Sequence, residues 1–388
     1  MKNIYVDNNA TTRVAPEVVE EMVPYFSELY GNPSSMHNFG GQVEKKIIEA
    51  RGKVASLFNC DPSEIVFTSC GTESDSTAIR GTLESYPQKK HIVTTRVEHP
   101  AVLNLCRYLS KNGYKSTELS VDSKGNLDLN ELADSITDNT AIVSIMYANN
   151  ETGVIFPIEE IGEIVKSKGA VFHCDAVQAV GKIPLDMRKS SIDLLSLSGH
   201  KFHAPKGIGA LYIRKGTKLT PFILGGHQEK GRRAGTENVP YIIGLGKAAE
   251  LASLHVEDKN TRVKSLRDRL EETLIKSCTD TKINGDTKHR LPNTTNISFE
   301  YVEGEAILLM LSEKGIAASS GSACTSGSLE PSHVLRAMGI PFTFVHGSVR
   351  LSLSRYNTDE DIDYIIEHLP VTINRLRELS PFGKPREK

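Results

Sequence analysis

Apolar residues along the chain fall into two alternating textures. Short runs of consecutive apolar and β-branched residues occur at 64–68, 92–94, 141–145, 171–174, 194–197 and 210–213. Runs of this length with few polar interruptions suit strands covered on both faces. Between them, apolar positions recur every three or four residues. Val43, Ile47, Ala50, Val54 and Leu57 form one such stripe, and Ile158, Ile161, Ile164 and Val165 form another after Pro157. Strand and helix in alternation predict an α/β unit with a mainly parallel sheet and helices on both faces.

Beyond about Tyr241 the texture changes. Leu245, Ala248, Leu251, Leu254, Val263, Leu266, Leu270 and Leu274 predict a long helical stretch. Strands are expected at 296–299 and 348–353, and a final helix at 359–379. This reads as a second, smaller α+β unit. With 388 residues the chain is long for one compact core, in keeping with two units.

Composition narrows the classes. Hydrophobic residues make up 39% and charged residues 24%, with a net charge of −2 and the signs interspersed. That balance offers no electrostatic case for nucleic acid or an anionic membrane. The charged N-terminal residues do not resemble a signal peptide, and no run approaches a membrane span, so a cytoplasmic protein is expected. The six cysteines form no C-x-x-C pair, which leaves zinc-ribbon and thioredoxin readings without support. Five are expected to be small buried thiols. Three patterns are decoys. Gly244-Leu245-Gly246 mimics a dinucleotide fingerprint but lies inside a helical run. Gly226 to Gly231 has P-loop glycine spacing but lacks the Lys-Ser/Thr that follows it, and His173-x-Asp175 lacks a third metal ligand nearby.

Candidate chemistry collects at the ends of the expected strands, where open α/β sheets place their ligands. Ser69-Cys70-Gly71-Thr72 follows the strand ending at Thr68. Gly71 permits a tight turn, and a helix starting at Thr72 could receive a phosphate on its free N–H groups. The alternative there is a self-capped helix, Thr72 with Asp75. Asp175 ends an apolar strand, where a carboxylate is costly unless a cation meets it; a helix cap is the competing reading. Lys201, in Ser198-Gly199-His200-Lys201, directly follows another apolar strand. Desolvation there would lower its pKa and suit an amine that forms a Schiff base. Cys324 lies in Ser319-Ser320-Gly321-Ser322-Ala323-Cys324-Thr325-Ser326-Gly327. That stretch has no residue large enough to pack, so it is expected to present a thiol to solvent.

A lysine for a Schiff base, an aspartate for a ring nitrogen and a phosphate cup are the parts of a pyridoxal-phosphate site. The Ser-Gly-His-Lys stretch, Arg233-Ala234-Gly235-Thr236-Glu237-Asn238 and the Ser-Gly-Ser-Ala-Cys stretch together resemble the cysteine desulfurases of the NifS/IscS type. These belong to the class V, fold-type I, pyridoxal-phosphate family. The resemblance runs from Tyr5-Val6-Asp7-Asn8-Asn9-Ala10-Thr11-Thr12 to Ser380 and leans toward the nitrogen-fixation branch. It implies a large domain (15–257) with a mainly parallel seven-stranded sheet. It also implies a smaller α+β domain (1–14 and 258–388) carrying the cysteine loop.

By the same resemblance, Lys201 carries the cofactor, Asp175 pairs with the ring nitrogen, and His99 stacks on the ring and serves as a catalytic acid–base group. Gln178 bonds the ring hydroxyl, and Gly71, Thr72, Ser198 and His200 hold the phosphate. Thr236 reaches the phosphate of a partner subunit, which implies a homodimer. Asn150 orients the substrate and Arg350 clamps the L-cysteine carboxylate, with Arg355 a weaker second candidate. Cys324 takes the sulfur as a persulfide and passes it to an iron–sulfur scaffold protein or another acceptor. Transient iron–sulfur ligation by Cys324 is a further implication. Read from the residues alone, His99 is a helix-start histidine and Arg350 a structural ion pair. A selenocysteine lyase or aminotransferase on the same fold, a non-catalytic assembly scaffold and a cysteine hydrolase remain alternatives.

Overall fold

The structure, a computed structural model, describes residues 3–320 and 331–380. Twelve strands are present among the described residues: β1 (Ile4–Tyr5), β2 (Ile65–Thr68), β3 (His91–Thr95), β4 (Lys115–Leu119), β5 (Thr140–Ser144), β6 (Val171–Asp175), β7 (Leu194–Ser198), β8 (Gly209–Ile213), β9 (Thr281–Ile283), β10 (Thr294–Phe299), β11 (Ile316–Ala317) and β12 (Ser348–Ser352).

Seven of them form one sheet in the order β2-β8-β7-β6-β5-β3-β4. Its five central and edge strands from β7 to β4 run parallel, and β8 runs antiparallel to both β7 and β2. All residues of β2, β3, β5, β6, β7 and β8 are buried. That explains their continuous apolar runs: helices cover both faces, so alternation has nothing to separate. Because β2 and β7 both pair antiparallel with β8, they point the same way. The chain after Thr68, Asp175 and Ser198 therefore emerges at one edge of the sheet.

The large core packs helices Asn38–Leu57 and Val239–Leu254 against the sheet. Gly246 belongs to this contact. A Cβ there would lie 2.7 Å from the Ala50 Cα and Cβ, so glycine is needed for the two helices to approach. The dinucleotide-like spacing is thus helix packing.

A second core gathers Ile4, Val6, Leu270, Ile297, Phe299, Ile307, Val349, Leu351, Ile365 and Leu369. It is built on the antiparallel sheet β12-β10-β9, the short parallel pair β1/β11, and helices Lys264–Ser277, Gly304–Glu313 and Asp359–Leu379. The N-terminal strand thus lies in the core formed mostly by the last third of the chain. Residues 7–12 then lead back to the large sheet: the Asn8 amide donates to the Ser352 carbonyl (2.9 Å), and the Thr12 N–H to the His200 carbonyl (2.9 Å).

Two expectations shift. The long helix expected through Leu245–Leu274 is broken after Leu254 and passes through a wider turn at Lys259–Val263 before Lys264–Ser277 begins. At the break Lys259 turns inward, and its ammonium donates to the Gly181 carbonyl. The edge strand β4, Lys-Ser-Thr-Glu-Leu, has no apolar run to announce it because only β3 covers it.

Candidate active site

A cavity of about 450 Å³ opens where β2, β6 and β7 end. Gly71, Thr72, His99, Asn150, Asp175, Gln178, Ser198, His200, Lys201 and Arg350 all line it, so ten of the expected site residues meet there.

The phosphate cup has a specific local cause. Helix Gly71–Ser85 begins at Gly71, one residue earlier than expected, with Cys70 at its N-cap and no side-chain capping bond. The self-capping alternative therefore fails, and the first N–H groups face the cavity region without a side-chain acceptor, as an anion requires. A Cβ on Gly71 would lie 2.8 Å from Val177 Cγ2, so the turn closes only with glycine. Cys70, expected to be a buried thiol, is half-buried on the cavity wall.

Asp175 closes β6 and is 6% exposed. One carboxylate oxygen accepts the Val177 N–H at 2.9 Å. A helix-like turn rather than a helix follows, so Asp175 caps only that turn. Burial raises its carboxyl to about 6, with the Val177 bond and Lys201 pulling the other way. Asp75 is buried too, held well above the carboxylate range by burial and then by Asp175; its Oδ1 makes no hydrogen bond and lies 3.6 Å from His173 Nε2. A protonated ring nitrogen would offset this excess of buried acid.

Lys201 follows β7. Burial, and then Arg350, lower its ammonium to about 8, the direction a Schiff-base amine needs. Its Nζ donates to the carbonyls of Asn9 (2.7 Å) and Ala10 (2.8 Å). Sequence reasoning did not find these acceptors, since a backbone carbonyl 192 residues away leaves no trace in composition.

His99 caps a helix and lines the cavity: its Nδ1 accepts the Ala101 N–H (3.2 Å). Burial, with Lys201 and His333 adding, lowers it to about 4, so it is neutral at pH 7. His200 is lowered to about 4 by burial and then Lys201, and its Nδ1 shares a hydrogen bond with Thr11 Oγ1 (3.1 Å). His173 faces the other way, with its two nitrogens on Ser144 (2.8 Å) and Ser196 (2.9 Å).

Arg350 projects from β12 and is 4% exposed. It pairs with Asp7 at 2.6 Å and donates to the Asn150 carbonyl at 3.0 Å, while its Nε has no partner. A structural ion pair and one buried, unbonded N–H therefore coexist on one guanidinium. Arg355 does not reach the cavity; it donates to Tyr356 Oη (2.8 Å) and lies 3.7 Å from Glu17. Thr236 is exposed and lines a neighbouring cavity of about 150 Å³ with Ser69 and Arg233. Cys324 lies outside the described residues. On either side of that segment, Ser319 and His333 line the main cavity. The Arg350 N–H donates to the Ser319 carbonyl (2.6 Å), and Ser332 donates to Glu151. A second hollow, about 500 Å³ and lined by Val302, Phe342, Leu376 and Leu379, brings no lysine to an acid.

The class-V aminotransferase profile matches residues 4–365. A cysteine desulfurase from Nostoc sp. is 64% identical over 98% of this chain and 96% of its own length. The chain belongs to the NifS/IscS-type cysteine desulfurases of the class-V aminotransferase family. The cysteine desulfurase NifS of Azotobacter vinelandii is 57% identical over 98% of this chain and 95% of its own. Among solved structures, a NifS-like protein superposes with a TM-score of 0.91 at 41% identity, covering 97% of this chain and all of that one. An apo cysteine desulfurase from Thermococcus onnurineus gives 0.86 at 27%, covering 96% and 95%. The fold-type I architecture expected of the family is the one described above. Among the described residues no helix is long and apolar enough to cross a membrane.

Proposed function

We propose that this desulfurase binds pyridoxal 5′-phosphate in the 450 Å³ cavity and converts L-cysteine to L-alanine, leaving the sulfur on Cys324 as a persulfide. One observation carries the reading: a desolvated amine, Lys201, shares a cavity with a buried carboxylate, Asp175, that has no cation bonded to it. The residues present fit the cofactor at both ends, with an uncapped helix start for its phosphate and a raised acid for its ring nitrogen.

When bound, pyridoxal phosphate supplies a carbonyl that amines condense with and a protonated ring that withdraws electrons. Lys201 would hold it covalently. Asp175 would keep the ring nitrogen protonated, and His99, neutral, would lie against the ring. Gln178 would meet the ring hydroxyl. Gly71, Thr72, Ser198 and His200 would hold the phosphate. Arg350, held in place by Asp7 and beside Asn150, would take the cysteine carboxylate. Cys324 would attack the substrate sulfur as a thiolate; its S–S bond forms as the substrate C–S bond breaks. Enzyme thiol and L-cysteine thus become enzyme persulfide and L-alanine, with atoms and electrons balanced.

We read the enzyme as a homodimer with shared sites, in which Thr236, exposed and lining a separate cavity, would reach the phosphate held by a second copy of the chain. We divide it into a large unit at 15–257 and a small one at 1–14 and 258–388, and take an iron–sulfur scaffold protein as the sulfur acceptor. Nitrogenase-cluster supply, transient cluster ligation by Cys324 and a cytoplasmic location belong to the same reading.

The test is an absorbance spectrum before and after L-cysteine, with alanine and sulfide measured together, on the wild type and Cys324→Ala. The variant is expected to keep the cofactor band and lose sulfur release. Full transamination with Cys324→Ala would place the chain among the aminotransferases instead.

A further inference from the structure

We propose that Lys182 is a positioning residue that locks the Gln178 amide so that its N–H edge, not its carbonyl, is offered to the ring oxygen of the bound cofactor. The inference rests on the reading of Gln178 given above.

Lys182 lies four residues after Gln178 in a helix-like turn following β6, in which the Val180 N–H donates to the Ala176 carbonyl (3.0 Å). It is 4% exposed. A lysine so deeply buried normally meets a carboxylate. Here its Nζ donates to two amide oxygens instead, Gln178 Oε1 at 2.6 Å and Asn9 Oδ1 at 2.9 Å. The charged groups acting on it are all cationic: Lys201, Lys259 and Arg350. Burial first, and these neighbours next, push its ammonium well below the ordinary lysine value. The void between Lys182, Lys201 and Lys259 is about 10 Å³, too tight for a bound anion larger than a water. Nothing in this arrangement serves surface charge or anion binding.

What it does fix is geometry. An amide can flip by 180° at almost no cost unless its partners differ in donor and acceptor character. As an ammonium, the form that two amide oxygens favour, Lys182 has only hydrogens to give, and Gln178 Oε1 faces it. Gln178 Nε2 then turns the other way and donates to the Asn9 carbonyl at 2.9 Å, with its second hydrogen left for the cavity that Gln178 lines. Asn9 is oriented by the same logic. Its Oδ1 faces Lys182 and Asn293 (3.2 Å), and its Nδ2 donates to Thr294 (2.9 Å) and the Asn150 carbonyl (3.1 Å). The Asn9 carbonyl also receives Lys201. One buried amine therefore sets the amide that meets the ring and steadies the backbone on which the Schiff-base lysine rests.

A donor on the ring oxygen favours its ionised form, so the nitrogen joining Lys201 to the ring gives up its proton at lower pH. Losing the donor, or presenting a carbonyl in its place, raises that midpoint. The test is a pH titration of the visible band in holoenzyme: wild type, Lys182→Met, Lys182→Gln, Gln178→Ala and the Lys182→Met/Gln178→Ala double variant. Lys182→Met is expected to raise the midpoint by about one pH unit, tenfold in proton affinity. Lys182→Gln, which can still donate to Gln178, should return it toward the wild type. In the Gln178→Ala background, Lys182→Met should add nothing, because a relay has no effect once its end is removed. An unmoved midpoint in Lys182→Met or in Gln178→Ala would overturn the proposal. So would an equal shift in both backgrounds, which would mean charge acting through space. Borohydride trapping on wild-type Lys201 checks the parent reading by itself. No adduct there removes the cofactor site; an adduct with an unmoved midpoint removes only the role of Lys182.

Discussion

Two parts of this molecule bury charge, and they do it in opposite ways. Beside the second core, Arg290 meets Glu271 through both terminal guanidinium nitrogens at 2.6 Å, and Thr295 donates to the same carboxylate. Beside them Arg267, 2% exposed, donates to the carbonyls of Leu291 and Thr294 and to Asp268. Both oxygens of the Glu271 carboxylate are answered, although Arg290 Nε makes no hydrogen bond. Around the candidate active-site cavity, Asp75 Oδ1, Glu98 Oε2 and Arg350 Nε make no hydrogen bond, and Lys182 finds only amides. Burial lifts Glu98 to about 8 and Glu151 to about 7. A closed set of partners holds a fold together, whereas a set left open on one side leaves room for a ligand.

The largest effect should come from the open side. Lys201→Ala is expected to lower desulfurase turnover more than ~10³-fold, because the amine is the group that attaches the cofactor. The fold should not suffer. The wild-type amine is held below its ordinary value by burial and by Arg350, so at pH 7 it costs stability rather than adding to it. The apo variant should therefore melt no lower than the wild type. Turnover above a hundredth of wild type, or a lowered melting point, would break the comparison on this side.

The closed side should show the reverse. Glu271→Ala leaves Arg290 and Thr295 without their acceptor in a buried place and is expected to cost roughly 3–5 kcal/mol in urea unfolding. The variant protein that remains folded should keep its spectrum and its KM for cysteine. A loss under ~1 kcal/mol would mean that water or a neighbouring carbonyl replaces the carboxylate, and that the pair is not closed.

Much of this division is written locally. The apolar runs of β2, β6 and β7 mark strands covered on both faces, and a charged residue directly after such a run, Asp175 or Lys201, is conspicuous because nothing local compensates it. What stays hidden is what folding brings from afar. Glu271 and Arg290 look like ordinary surface charges on a helix and a loop; only the return of β10 beside them buries the pair. Lys182 looks like a turn lysine, and the Asn9 and Ala10 carbonyls have no side-chain signature at all. Arg355 shows the opposite error: an arginine close behind a strand suggests an anion site, yet its side chain turns to Tyr356 and Glu17. The helix start at Gly71 rather than Thr72 was obscured by a capping pattern that the backbone does not use.

The smallest effect is the most diagnostic, because its sign depends on whether the open side is filled. Asp175 holds its proton up to about pH 6 in the folded protein, against about 3.9 in an unfolded chain. The folded state then binds more protons than the unfolded one between those values, so this group's contribution to stability is complete below about pH 4 and is lost as pH rises through 6. Buried His99, His173, His200 and His203 are all lowered, which gives a slope of the opposite sign, and they are common to wild type and variant. Asp175→Asn removes the one carboxylate and relieves Asp75, which it holds up, and Asn can still accept the Val177 N–H. Without cofactor, the variant should gain on the wild type from pH 4 to 6, by roughly 2–3 kcal/mol, and stay level above. With pyridoxal phosphate bound, a cation faces the carboxylate and the order should invert, the wild type being stabilised more. If the cofactor stabilises both proteins equally at pH 7.5, Asp175 does not meet the ring nitrogen, and the acid at the end of β6 is uncompensated for some other reason.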